Sequence, residues 1–141
     1  MKSLVDTCVI LDALQKREPF WQDAEELFRA AAVKKVIACI TAKSASDIYY
    51  LTHKVTHSDT ESRRLLGKLF SIFSLLDSAG VDCQKALLSR VADYEDAIMI
   101  ETAMREGMDC IITRNLRDYS FSPLPVYTPR EFLKRIDSTD R

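Results

Sequence analysis

Apolar and polar positions along this chain follow two alternating periods. "KSLVD" reads as a short buried strand, and "TCVILDALQKR" follows with helical spacing at Val9, Ile10 and Leu14. Pro19 is expected to open a second helix, "PFWQDAEELFRAAAVKK", with Phe20, Ala24, Leu27, Phe28 and Ala31 on one face. "VIACI" is a second apolar strand. "AKSASDIYYLTHKV" and "DTESRRLLGKLFSIFSLL" come next as helices, the latter amphipathic through Leu65, Leu66, Leu69, Phe73 and Leu76. "SAGVDC" has room for a brief strand and "QKALLSRVA" for a helix. "DYEDAIMIETAMREG" is a helix ended by Gly107. "MDCIIT" is the next strand, and "LPVY" is an edge strand in which Pro125 limits pairing. In the last helix, Thr128, Pro129 and Glu131 form a capping box before "FLKRI".

Short apolar strands alternating with helices imply an α/β fold. The expected form is a three-layer α/β/α sandwich around a mostly parallel, roughly five-stranded sheet. One domain spanning residues 1–141 is expected, with residues 136–141 as a frayed tail. No linker, internal repeat or low-complexity tract interrupts the pattern. In such sheets the working site lies beyond the C-terminal ends of the strands.

Composition narrows the class. At 141 residues and 47% hydrophobic, the chain can build a core without disulfides or structural metal. Cys8, Cys39, Cys83 and Cys110 form no C-x-x-C pair and are expected as buried free thiols in a reducing compartment. No leader pattern and no membrane-length apolar run is seen, so a cytoplasmic location is expected. The net charge of −1 argues against coating nucleic acid by bulk charge, though a local basic groove remains open.

Several acids fall where strands should end. Asp6 closes the first strand, and Asp96 lies in the first turn of a later helix; each alone could be ordinary helix capping. Asp47 sits inside "SASDIYYL", where Asp is a poor helix former and caps nothing. Asn115 and Asp118 follow the strand "CIIT" in a turn. Acids brought together at one sheet edge repel unless a cation neutralises them. Hard oxygen ligands without His or Cys suit magnesium or manganese. Two such ions are a device for phosphodiester cleavage, one activating water and the other stabilising the departing oxygen.

With these residues in place, the chain resembles the PIN domain, the nuclease fold of VapC-type toxins. The matching pieces are "LVDTCVILDAL", "ITAKSASDIYYL", "DYEDAIMIETAMREGMDCIITRNLRDY" and "SPLPVYTPREFL", in the family's order. The resemblance implies a metal-dependent endoribonuclease with Asp6, Asp47 and Asp96 as metal-binding acids. Asn115 stands where the family often has a fourth acid, and Asp118 is the carboxylate that could replace it; Asp47 stands where the family often has Glu. Asp93 and Asp12 are candidates for a supporting shell. Thr113, Arg114 and Thr7 are candidates for orienting the site and contacting phosphate. The resemblance further implies an RNA substrate, a homodimer, and a small antitoxin partner protein.

Other constellations fall short. His53 and His57 have the spacing of a zinc helix, but Lys54 stands where the base Glu belongs. Lys34, Lys35, Lys43, Lys54, Arg63, Arg64, Lys68, Arg114 and Arg117 are candidates for an RNA-facing rim. Phe20, Trp21, Tyr49 and Tyr50 are candidate stacking surfaces, against core or dimer packing as the commoner use. The alternatives carried forward are a catalytically inert module that binds RNA or a protein, and a metal phosphatase for small molecules.

Overall fold

The computed structural model describes residues 1–139. Five strands form one parallel sheet in the order β3-β2-β1-β4-β5. They are β1 (Lys2–Val5), β2 (Ile37–Thr41), β3 (Ser74–Leu76), β4 (Cys110–Ile112) and β5 (Val126–Tyr127). The helices are α1 (Thr7–Leu14), α2 (Trp21–Ala32), α3 (Ala42–Thr56), α4 (Asp59–Ile72), α5 (Gly80–Ala86), α6 (Tyr94–Arg105) and α7 (Pro129–Thr139).

The period-2 alternation of the strands divides the core into two layers. Val5, Ala38, Ile40, Cys110 and Ile112 pack against α1, α2, α3, α4 and α7. Leu4, Cys39 and Ile111 face α5 and α6. The architecture is thus the expected α/β/α sandwich, with β1 at its centre. Each fully buried Leu or Ile contributes about 1.5–3 kcal/mol. Gly107 takes a left-handed φ of 71° just past α6, which lets the chain turn sharply into β4. The capping box of α7 forms as expected: the Glu131 amide donates to Thr128 Oγ1 at 3.2 Å, and the Thr128 amide donates to Glu131 Oε2 at 3.0 Å.

Several expectations differ from the structure. Residues 74–76 leave the predicted long helix and become the edge strand β3, because Phe73 turns extended (φ −107°, ψ 139°) and buries its ring against Phe28. "SAGVDC" then opens helix α5 instead of a strand. Helix α2 starts at Trp21, after a cis Glu18–Pro19 bond, and not at Pro19. The expected frayed tail is helical over 136–139, and residues 140–141 lie outside the described residues. Of the thiols, Cys39 and Cys110 are buried, Cys8 is half-buried, and Cys83 is exposed.

Strand order reverses at β1: β2 lies on one side of it and β4 on the other. The chain therefore leaves β1 at a topological switch point, where a crevice opens between diverging connections. Asp6 is the residue at that point.

Candidate metal centre

Asp6 is not an ordinary helix cap. It precedes α1 with extended backbone, yet its carboxylate accepts no capping hydrogen bond from the helix. Oδ2 instead accepts from the Thr113 hydroxyl at 2.8 Å and from the Cys8 thiol at 3.5 Å. Thr113 is fully buried at the end of β4, so two neighbouring strand ends hold this carboxylate in place. The Cys8 thiol is pushed up to about 11 by its burial and by the Asp6 charge, which favours its protonated form at neutral pH.

Asp96 lies in the first turn of α6, with its amide donating to Asp93 Oδ1 at 3.0 Å. The helix dipole there favours a carboxylate by about 0.3–1 kcal/mol. That effect loses. Burial first, then the charges of Asp6, Asp93 and Asp118, push the Asp96 carboxyl up to about 7, despite a 3.2 Å hydrogen bond from the buried Tyr119 hydroxyl. A carboxylate crowded by like charge is what a cation relieves.

Asp6, Asp47 and Asp96 line one cleft of about 320 Å³, together with Thr7, Lys43, Ser44, Tyr50, Leu51, Glu95 and Met99. Two hydroxyls line it, with Thr7 Oγ1 donating to Ser44 Oγ at 2.9 Å; behind them the buried Thr41 Oγ1 donates to the same atom at 3.1 Å. Asp47 Oδ2 accepts from Lys43 Nζ at 2.7 Å, and the same ammonium reaches Glu95 Oε2 at 3.5 Å. Burial alone would lower the Lys43 ammonium, but its bond to Asp47 and the two carboxylate charges hold it above its ordinary value.

The remaining candidates lie outside this cleft. Asn115 opens a 3-10 helix (Leu116–Tyr119); its amide nitrogen is 4.0 Å from Cys8 Sγ, and its oxygen accepts from Arg114 Nη1 at 3.4 Å. Asp118 is exposed and borders a separate hollow with Asp93 and Arg117, although its charge reaches Asp96. Arg114, expected at phosphate, is committed elsewhere. Its Nε donates to the buried Asp12 at 2.7 Å, and its guanidinium covers Phe20 at 4.5 Å. The basic rim is likewise dispersed: Arg63 and Arg64 pair with Asp59 and Glu61, Lys35 pairs with Asp137, and Lys34 borders a different cleft. His53 stacks on Tyr49, and His57 is the left-handed residue that ends α3.

The donor set fits a hard dication at Asp6 and Asp96, two oxygen donors that are crowded and partly desolvated. No three His, Cys, Asp or Glu side chains converge into a ready-made cage among the described residues. Asp47 is paired with Lys43 at 2.7 Å.

The crowding has a measurable cost in the ion-free protein. The folded state holds the Asp96 proton more tightly than the unfolded chain, so stability falls as pH rises from about 4 to about 7. Asp96→Asn should therefore raise stability at pH 8 without metal by about 1–2 kcal/mol, with the gain vanishing near pH 4. Urea unfolding in chelator at both pH values checks this, and a variant less stable than the parent at pH 8 contradicts it.

Sequence reading missed Glu95, Thr41, Ser44 and Tyr119 as site residues. Glu95 was visible only as the neighbour of Asp96, and Tyr119 as the aromatic after Asp118.

A family model described as a PIN domain matches residues 2–117. No curated protein sequence matches the chain. Among solved structures, the fold is similar to VapBC-1 from nontypeable Haemophilus influenzae, at 12% identity, 92% of this chain, 99% of that chain and a TM-score of 0.68. It is also similar to a toxin–antitoxin complex from Klebsiella pneumoniae, at 22% identity, 90% and 97% coverage and a TM-score of 0.67. A third is VapBC2 from Rickettsia felis bound to a promoter DNA fragment, at 16% identity, 89% and 97% coverage and a TM-score of 0.67.

Proposed function

This chain belongs to the PIN domain family, and from that membership we propose that it is a divalent-metal-dependent endoribonuclease. The observation that carries the reading is the crowding of Asp6 and Asp96 at the β1 switch point, which a dication offsets. Asp6 and Asp96 would hold magnesium or manganese; Asn115 is a further candidate oxygen donor, Asp47 is held by Lys43, and Asp118 reaches Asp96 only through its charge. Such an ion, when bound, raises the acidity of water and stabilises charge on phosphoryl oxygens.

The chain's own residues do the positioning. Thr113 and Tyr119 fix the two carboxylates by one hydrogen bond each, at 2.8 and 3.2 Å. Thr7 and Ser44 present hydroxyls that suit phosphate oxygens. Arg114, gripped by Asp12, braces the turn after β4 and leaves phosphate contact to other groups. No side chain need serve as a covalent nucleophile.

Tyr50 gives the substrate a stacking platform. It is 60% exposed at the cleft wall, with Lys54 Nζ 4.6 Å from its ring centroid. Base–aromatic stacking is worth about 1–3 kcal/mol per base, so Tyr50→Ala should weaken binding of single-stranded RNA by roughly tenfold, and Tyr50→Trp should retain it. Fluorescence anisotropy in chelator measures this apart from cleavage; an unchanged affinity in Tyr50→Ala removes the platform.

One solved relative named above is a toxin–antitoxin complex, and that likeness in fold is the analogy behind a toxin role here. A small antitoxin partner, a homodimer and a cytoplasmic location belong to the same reading. No helix among the described residues is long and apolar enough to cross a membrane. The test is cleavage of several RNAs in magnesium or manganese against the same reactions in chelator. Cleavage that persists in chelator contradicts the assignment. The capture of Asp47 by Lys43 favours one other reading, a PIN fold that binds RNA or a partner without cutting. Negligible manganese binding at millimolar concentration would decide for it.

A further inference from the structure

We propose that Lys43 is a built-in cation that fills the second cation position of the cleft, so that the chain binds one divalent ion. The inference rests on the metal-dependent reading above and specifies its stoichiometry. The cleft wall carries four carboxylates, Asp6, Asp47, Glu95 and Asp96, and a single ammonium, Lys43. They divide into two pairs. Among the described residues Asp6 and Asp96 have no cationic partner: their hydrogen bonds come from the Thr113 hydroxyl, the Cys8 thiol and the Tyr119 hydroxyl. Asp47 and Glu95 share the Lys43 ammonium at 2.7 and 3.5 Å.

The position of Lys43 argues that this pairing is a built feature. It is the second residue of α3, where the helix dipole disfavours a positive charge. Its backbone amide is fixed by the Ser78 hydroxyl at 3.2 Å, which anchors the stem while Nζ lies between α3 and α6. Asp47, for its part, gains nothing from helix propensity or capping at mid-helix. Each charge is unfavourable in its own helix, and each is explained by the other. A second dication placed beside Asp47 would have to displace this ammonium or sit against it. With Lys43 in place, one dication at Asp6 and Asp96 leaves the four carboxylates nearly balanced, and a second would invert the charge of the cleft.

Manganese titration followed by electron paramagnetic resonance tests this on the full chain, with circular dichroism checking each fold. The parent should bind one ion with no spin coupling. Lys43→Met should bind two, with the broadened spectrum of a coupled pair, and Lys43→Arg should stay at one. Adding Asp47→Asn to Lys43→Met should return the count to one. Two coupled ions in the parent, or one ion in Lys43→Met, would overturn the inference while leaving the metal-dependent reading intact. No ion in any of these proteins overturns both.

Discussion

Asp6→Asn and Asp96→Asn should each lower RNA cleavage by roughly a hundredfold or more while leaving the fold intact. Asn keeps the shape and one side-chain oxygen, so the Thr113 hydroxyl at position 6 and the Tyr119 hydroxyl at position 96 still find an acceptor. What disappears is the negative charge that would hold a dication. Ion-based stabilisation of a phosphoryl transition state is worth several kcal/mol, and each 1.36 kcal/mol is a factor of ten in rate. The matched control is Asp118→Asn. Asp118 is exposed and outside the cleft, so its loss should cost less than about tenfold through its long-range effect on Asp96. Single-turnover cleavage at saturating manganese measures all three. If Asp118→Asn is as damaging as the other two, the ion's ligands have been misassigned.

The second large effect concerns stability. Arg105→Ala should lower the urea unfolding midpoint clearly, because it strips a buried carboxylate of its charge partner. Asp82 has a side-chain exposure of 1% and lies at the start of α5. Arg105 grips it from α6, with Nε on Oδ1 at 2.9 Å and Nη2 on Oδ2 at 3.0 Å. The Thr102 hydroxyl and the Ala79 amide supply the other bonds, at 2.9 and 3.1 Å. Arg105→Lys should restore only part of the loss, since an ammonium cannot reproduce the two-pronged contact.

The pH dependence has a definite sign. Burial by itself would raise the Asp82 carboxyl, but Arg105, the Ala79 amide and Thr102 hold it below its ordinary value. Its contribution is present above the unfolded value near 4 and is lost as pH falls through the lower folded value. Urea unfolding should therefore show the widest gap between parent and Arg105→Ala at neutral pH and a narrowing gap near pH 3. Equal midpoints at neutral pH would mean that the pair contributes nothing.

Much of the fold was legible because its periods are strong. The strands "KSLV" and "CII" alternate cleanly between layers, and the Thr128–Glu131 cap is a local signal that needs no tertiary context. The β3 error shows the opposite case. "IFSLL" is apolar enough to continue the helix that precedes it, and a three-residue strand cannot be told from a helix end by period alone. The burial of Phe73 against Phe28 ends the helix, and pairing with β2 fixes the strand; neither contact is visible in a local window.

The candidate site divides in the same way. Asp6 and Asp96 were legible because strand ends and helix starts are local, and the parallel sheet brings such places to one edge. The companions of Asp47 were not. Lys43 stands four residues before it and reads as an ordinary helix-surface pair. That the ammonium also meets Glu95 depends on how closely α6 approaches α3, which is a property of packing. The bond of Arg114 to Asp12 was hidden for a related reason: the sequence cannot show that Asp12, on the buried side of α1, lies beside it.

On this reading Asp6 and Asp96 are held together at the β1 switch point, and a hard dication offsets their crowding. Anomalous diffraction from manganese-soaked crystals tests it most directly. A manganese peak should lie within bonding distance of both carboxylates, with no second peak beside Asp47 while Lys43 is present. A cleft without a peak at millimolar manganese, or a peak bound by neither Asp6 nor Asp96, would contradict it.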